Sequence, residues 1–151
     1  MKKGIVAAVL ALSVGTAQAA VPASCFSPGE IEAEQAILFQ TELMVLSETC
    51  RDSIYVSFLQ RNVEQVKAYQ KRMIDHFRHT GAARAESAFD SYVTRLANQS
   101  ALRNGRIPVG TLCQEAKYLL TAGQEFDSGG FRQYASAKAS TNLGYYRVCK
   151  R

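Results

Sequence analysis

The chain contains two histidines, both in the string Asp75-His76-Phe77-Arg78-His79. On a helix, residues three apart share a face, and Asp75 stands four residues before His79. Two imidazoles and a carboxylate are therefore the one set here with metal-ligand character. A further strong ligand is missing, since no other His exists and the next carboxylate is Glu86. His and Arg in the last turn of a helix are also explained by the negative end of its dipole, without a ligand. The expectation is no metal site and no cofactor, with His76, His79 and Asp75 as weak candidates only.

Other chemistries find less. The four cysteines are Cys25, Cys50, Cys113 and Cys149, and no two lie within four residues of each other. That spacing excludes CxxC redox chemistry, CxxCH haem attachment and paired-cysteine zinc sites. There is no GxSxG elbow, and the cysteines are better assigned to disulfides than to a Cys-His pair. Glu64, Asp75, Glu86 and Asp90 sit at helical positions with basic neighbours and read as solvated faces. Gly105 to Gly110 and Gly129-Gly130 read as turns, because neither carries GKS/T or follows a strand. Asn98-Gln99-Ser100 is formally a glycosylation sequon, a triplet common by chance. No residue is assigned a catalytic role, and the reading favours a non-enzymatic protein.

The aromatics divide in two. Tyr55, Tyr69, Phe77, Phe89 and Tyr92 recur at helical spacing and are expected in the core. Tyr145, Tyr146 and Arg147 cluster in a basic tail with Lys150 and Arg151, a mix of rigid aromatics and arginine that suits a contact surface. The competing reading is a tail strapped down by Cys149, with its tyrosines packed inward.

At the N-terminus Lys2 and Lys3 precede an apolar run from Gly4 to Val14, and Ala17-Gln18-Ala19 closes it with small residues. This is the pattern of a secretory signal peptide over residues 1–19, cleaved after Ala19, and the run is too short for a membrane anchor. A lipoprotein site at Cys25 is disfavoured, since Pro22-Ala23-Ser24 lacks the Leu-type residue such sites carry. Residues 20–151 are expected to form one helical domain, periplasmic or secreted, and not an integral membrane protein. At 151 residues and 47% hydrophobic, the chain is long enough for a real core.

Without residues 1–19 the net charge is +3, divided between −5 over residues 30–50 and +8 over residues 51–151. The preferred explanation is internal cancellation, the first helix lying against basic neighbours; otherwise the surface would attract polyanions. No nucleic-acid module is present, and no nucleic-acid partner is expected.

The elements that position these residues read as helices. Ser27-Pro28-Gly29-Glu30 is a capping box that opens the first helix. Its Ile37 to Leu46 stretch is apolar around nearly the whole circumference, so it is buried centrally or at an interface, while Glu30, Glu32 and Glu34 are expected in solvent. A turn is placed at Cys50, although neither Gly nor Pro marks it. A second helix spans about Asp52 to Thr80, with Tyr55, Leu59, Val63, Val66, Tyr69, Met73 and Phe77 inward and Gly81 ending it. A third runs on Ala85, Phe89, Tyr92 and Leu96 and fades from Asn98. A fourth opens at Thr111, with Ala116, Leu119, Gly123 and Phe126 on one face, and is closed by Asp127-Ser128-Gly129-Gly130. The tail holds a short helix near Phe131 to Lys138 and an irregular end.

The expected fold is all-α, a small up-down four-helix bundle with a short extra helix or irregular tail, stapled by two disulfides. In that topology Cys50 and Cys113 fall at one end and Cys25 and Cys149 at the other, so those are the expected pairs. The leading functional expectation is an exported, non-enzymatic interaction protein binding another envelope component, of the inhibitor, immunity, chaperone or complex-subunit type. The alternatives are a small-ligand or metal binder, hydrolases included, using the His76/His79 face or a cavity between helices, and a binder of anionic envelope polymers through the basic surface.

Overall fold

The first helix, α1, begins where Ser27 and Glu30 cap each other: the Glu30 N–H donates to the Ser27 hydroxyl at 3.3 Å and the Ser27 N–H donates to the Glu30 carboxylate at 2.6 Å. The computed structural model describes residues 25–150, so the expected signal peptide, residues 1–19, lies outside the described residues. The helices are α1 Pro28–Cys50, α2 Ile54–His79, α3 Ala85–Asn104, α4 Val109–Glu115, α5 Lys117–Glu125 and α6 Ser128–Asn142, followed by a 3-10 turn at Leu143–Tyr145. Among the described residues there are no strands, only an isolated parallel bridge between Phe26 and Val148. No described helix is long and apolar enough to cross a membrane.

The architecture is all-α with both expected disulfides, Cys25–Cys149 and Cys50–Cys113. They close sequence separations of 124 and 63 residues, which in the chain-entropy picture is about 4–5 kcal/mol each. Helix α1 is central and touches all five other helices. Its side chains are buried on every side, from Ile31 and Ala36 to Phe39, Leu43 and Leu46, as its unbroken apolar circumference requires. The break after Cys50 is made by Arg51 in the left-handed conformation (φ 57°), a role usually left to Gly, and Asp52 then accepts the Ile54 N–H at 2.9 Å. Gly81, at φ 93°, ends α2 where expected.

Four expectations need correction. The inward face of α2 is carried by Phe58, Asn62, Val66, Tyr69, Met73 and His76, and Val63 is 45% exposed. Asn62 replaces it at 1% exposure because its amide donates to the Phe58 carbonyl at 2.9 Å and to the Phe126 carbonyl at 3.0 Å, tying α2 to the end of α5. Helix α3 does not fade at Asn98. It continues to Asn104 because its last inward residues are polar: buried Ser100 donates to Glu42 at 2.7 Å, and Asn104 donates to Ser100 at 3.4 Å. The fourth helix is two, α4 and α5, with the junction at Ala116. Gly129-Gly130 is not a closing turn: Asp127 caps α6 by accepting the Gly130 N–H at 2.8 Å, and both glycines lie in its first turn.

Helix α6 is therefore a full wall of the core. Phe131 is completely buried and meets Phe58 and Tyr69 edge-on, with ring centroids 4.9 and 5.6 Å apart, while Tyr134 lies 4.8 Å from Phe39. Farther along α1, a Cβ at Gly123 would stand 2.6 Å from both Leu43 methyl carbons, so α5 seats directly on α1 only because residue 123 has no side chain. Gly123→Ala is expected to lose roughly 1–3 kcal/mol to overpacking against about 1 kcal/mol of helix propensity, and so to lower the denaturant midpoint. Gly110→Ala, in a helix with open space around the new Cβ, should hold or raise that midpoint. Equal gains in both would show that α5 is not seated on Leu43.

Candidate functional site

The histidine string is divided by the helix that carries it. His76 is 4% exposed, its Nδ1 is 3.2 Å from the Glu30 carboxylate, and its ring stacks on Phe26 with centroids 4.2 Å apart. His79 is exposed, and Asp75 pairs with Lys71 and Arg78. The three do not converge, and among the described residues no three His, Cys, Asp or Glu side chains are grouped to hold a metal. Burial alone would push the Glu30 carboxyl up, but the Ser27 N–H and hydroxyl together with His76 hold it below the usual carboxylate range.

The acidic segment is not a solvated face. Glu30, Glu32, Glu34 and Glu42 are all part-buried, because α1 is surrounded and their positions face α2 and α3. Glu42 accepts from Ser100 and, at 3.0 Å, from Arg103. Glu32 accepts the Tyr69 hydroxyl at 2.8 Å and Glu34 the Tyr92 hydroxyl at 2.7 Å. Cancellation of the −5 segment by basic neighbours is thus only partial: Glu30 and Glu42 meet a His and an Arg, whereas Glu32 and Glu34 take neutral hydroxyls. Burial, then the facing carboxylate, raises the Tyr69 and Tyr92 phenols well above the ordinary tyrosine value.

The tail is a strap fixed at several points. The Phe26 N–H donates to the Arg147 carbonyl at 2.8 Å, the Cys149 N–H donates to the Phe26 carbonyl at 3.0 Å, and the Cys25–Cys149 bond stands beside both. Tyr146 turns inward, its ring edge-on to Phe26 at 5.3 Å and its hydroxyl accepting from the Gln35 amide at 2.7 Å. Burial, and after it the neighbouring Glu34 carboxylate, raises this phenol too. Tyr145 turns outward and is 88% exposed, with Arg147 also exposed. Of the three proposed contact residues, two are presented to solvent and the third anchors them.

A feature without any sequence signal lies between α1, α2 and α3: a cavity of about 450 Å³. Ile37, Phe89 and Val93 give it apolar walls, while Gln40, Tyr55 and Asp90 contribute polar groups. The Gln40 amide donates to the Tyr55 hydroxyl at 3.3 Å, and its carbonyl oxygen is buried with no donor. Such an unpaired buried acceptor costs about 1–3 kcal/mol.

No protein-family model, curated protein or solved structure matches this chain.

Tyr69, Tyr92 and Tyr146 hold their protons to higher pH folded than unfolded. The stability they contribute is complete below about pH 10 and falls as pH rises past it. In a tyrosinate absorbance titration these three of the chain's seven tyrosines should ionise only together with loss of helical circular dichroism. Ionisation of all seven before any helix is lost would contradict these contacts. Glu30, with a depressed value, contributes above about pH 4.5, and that contribution disappears on acidification through its folded value. Glu30→Gln should therefore flatten the acid limb of the stability profile, and an unchanged limb would count against the His76 pairing.

Proposed function

We propose that this is an exported, non-enzymatic interaction protein that binds another envelope component through the outward face of its C-terminal strap. The observation that carries the reading is Tyr145: a large aromatic 88% exposed on a segment pinned by a disulfide, a backbone bridge and the inward Tyr146. Interface anchors are typically rigid aromatics and arginines, because they bury large area at small entropic cost. Arg147 stands beside it, exposed. Export is supported by the pattern of residues 1–19 and by the two disulfides, which persist in oxidising compartments.

A second reading, attraction to anionic envelope polymers, is favoured by one observation. From residue 128 to 150 the chain carries Arg132, Lys138, Arg147 and Lys150, all exposed, and no acidic residue. Salt separates the two, since exposed electrostatic attachment is screened within about 8 Å at physiological ionic strength.

The experiment is capture from envelope extract by residues 20–151 at low and high salt, with a Tyr145→Ala/Arg147→Ala variant alongside. A specific protein retained at high salt and lost with the variant supports the interaction reading, given unchanged circular dichroism of the variant. Capture that the variant leaves intact would contradict the strap as the contact, and binding that vanishes with salt alone would move the reading to polyanions.

A further inference from the structure

The cavity between α1, α2 and α3 is a different place from the strap, and its composition is selective. Its volume, about 450 Å³, falls in the range of roughly 300–1,000 Å³ that small-ligand sites occupy. Two of its lining residues, Ile37 and Phe89, belong to the core. The shape therefore does not depend on a mobile loop.

Its charge is one-sided. Asp90 is the sole charged residue lining the cavity, and among the described residues it is in no ion pair. No Lys, Arg or His lines it, so an anionic ligand would meet a carboxylate and no counter-charge. Gln40 also lines the cavity, with its amide donating to the Tyr55 hydroxyl at 3.3 Å, while its carbonyl oxygen is closed off from the space. An exposed carboxylate at the edge of apolar and aromatic walls, with no cation among the lining residues, suits a ligand with an apolar body and a cationic N–H group. A lone carboxylate is too little for a metal ion, which takes several such ligands.

We propose that this cavity binds a small organic amine, its hydrocarbon body against Ile37, Phe89 and Val93 and its ammonium at Asp90. The site goes beyond the strap reading and does not depend on it.

The test uses the intact disulfide-bonded protein and three probes of one skeleton: 2-phenylethylamine, 2-phenylethanol and phenylacetate. Titration followed by amide chemical shifts should show the amine perturbing residues of α1, α2 and α3 around the cavity. The amine should bind roughly tenfold more tightly than the alcohol, the ratio a charge-assisted hydrogen bond gives, and phenylacetate should not bind there. Asp90→Asn should reduce the amine to the affinity of the alcohol while leaving the alcohol unchanged. That variant loses no ion pair, so its fold is expected intact, and its thermal midpoint checks this. Val93→Phe, which fills the space, should abolish binding of both, while Tyr145→Ala should leave the titration as it was. Equal affinity for amine and alcohol, an amine affinity untouched by Asp90→Asn, or no binding of any probe at millimolar concentration would each overturn the proposal.

Discussion

Everything in this fold is arranged around a helix that is both the most buried and the most acidic part of the chain. Helix α1 must be covered on all sides because its apolar residues have no single stripe, yet Glu30, Glu32, Glu34 and Glu42 lie among them. A carboxylate withdrawn from water needs donors, and each of these four receives at least one from another element: His76 and Tyr69 on α2, Tyr92, Ser100 and Arg103 on α3, although the second oxygen of Glu34 stays buried without a partner. These contacts set how α2 and α3 lie on α1. Helices α5 and α6 then close the remaining sides with Gly123 and Phe131.

The same constraint bears on function. His76, the one histidine with access to a carboxylate partner on α1, is consumed by Glu30 and by the Phe26 ring, so it is part of the fastening between the chain's two ends. What remains available lies elsewhere, on the strap at Tyr145 and Arg147 and in the cavity beside Asp90. Both rest on elements that are packed against or fastened to α1.

Much of this was legible in the sequence where the signal is local or topological. The Ser27 to Glu30 box sets the start of α1, its all-round apolar pattern implies a central position, and antiparallel order alone assigns the disulfide partners. Legibility fails where burial is polar. Asn62 and Ser100 read as surface residues until their partners, the Phe126 carbonyl and Glu42, are known, and so the face of α2 and the length of α3 were displaced. Asp127 reads as a turn residue until the helix it caps is seen. For the candidate site, the tail cluster was visible as a composition, but only tertiary contact separates the inward Tyr146 from the outward Tyr145. The cavity is a property of three helices together and leaves no trace in any one of them.

The central claim, that part-buried carboxylates on α1 are held by donors from its neighbours, two of them by neutral hydroxyls, is tested most directly by a double-mutant cycle on Glu34 and Tyr92. Chemical denaturation of Glu34→Ala, Tyr92→Phe and the pair gives the coupling. The account predicts that the pair loses less stability than the two single losses added, by on the order of 1 kcal/mol or more, since each single change strands the other's partner. Losses that add to within about 0.5 kcal/mol would mean that the two groups do not depend on each other, and would contradict it.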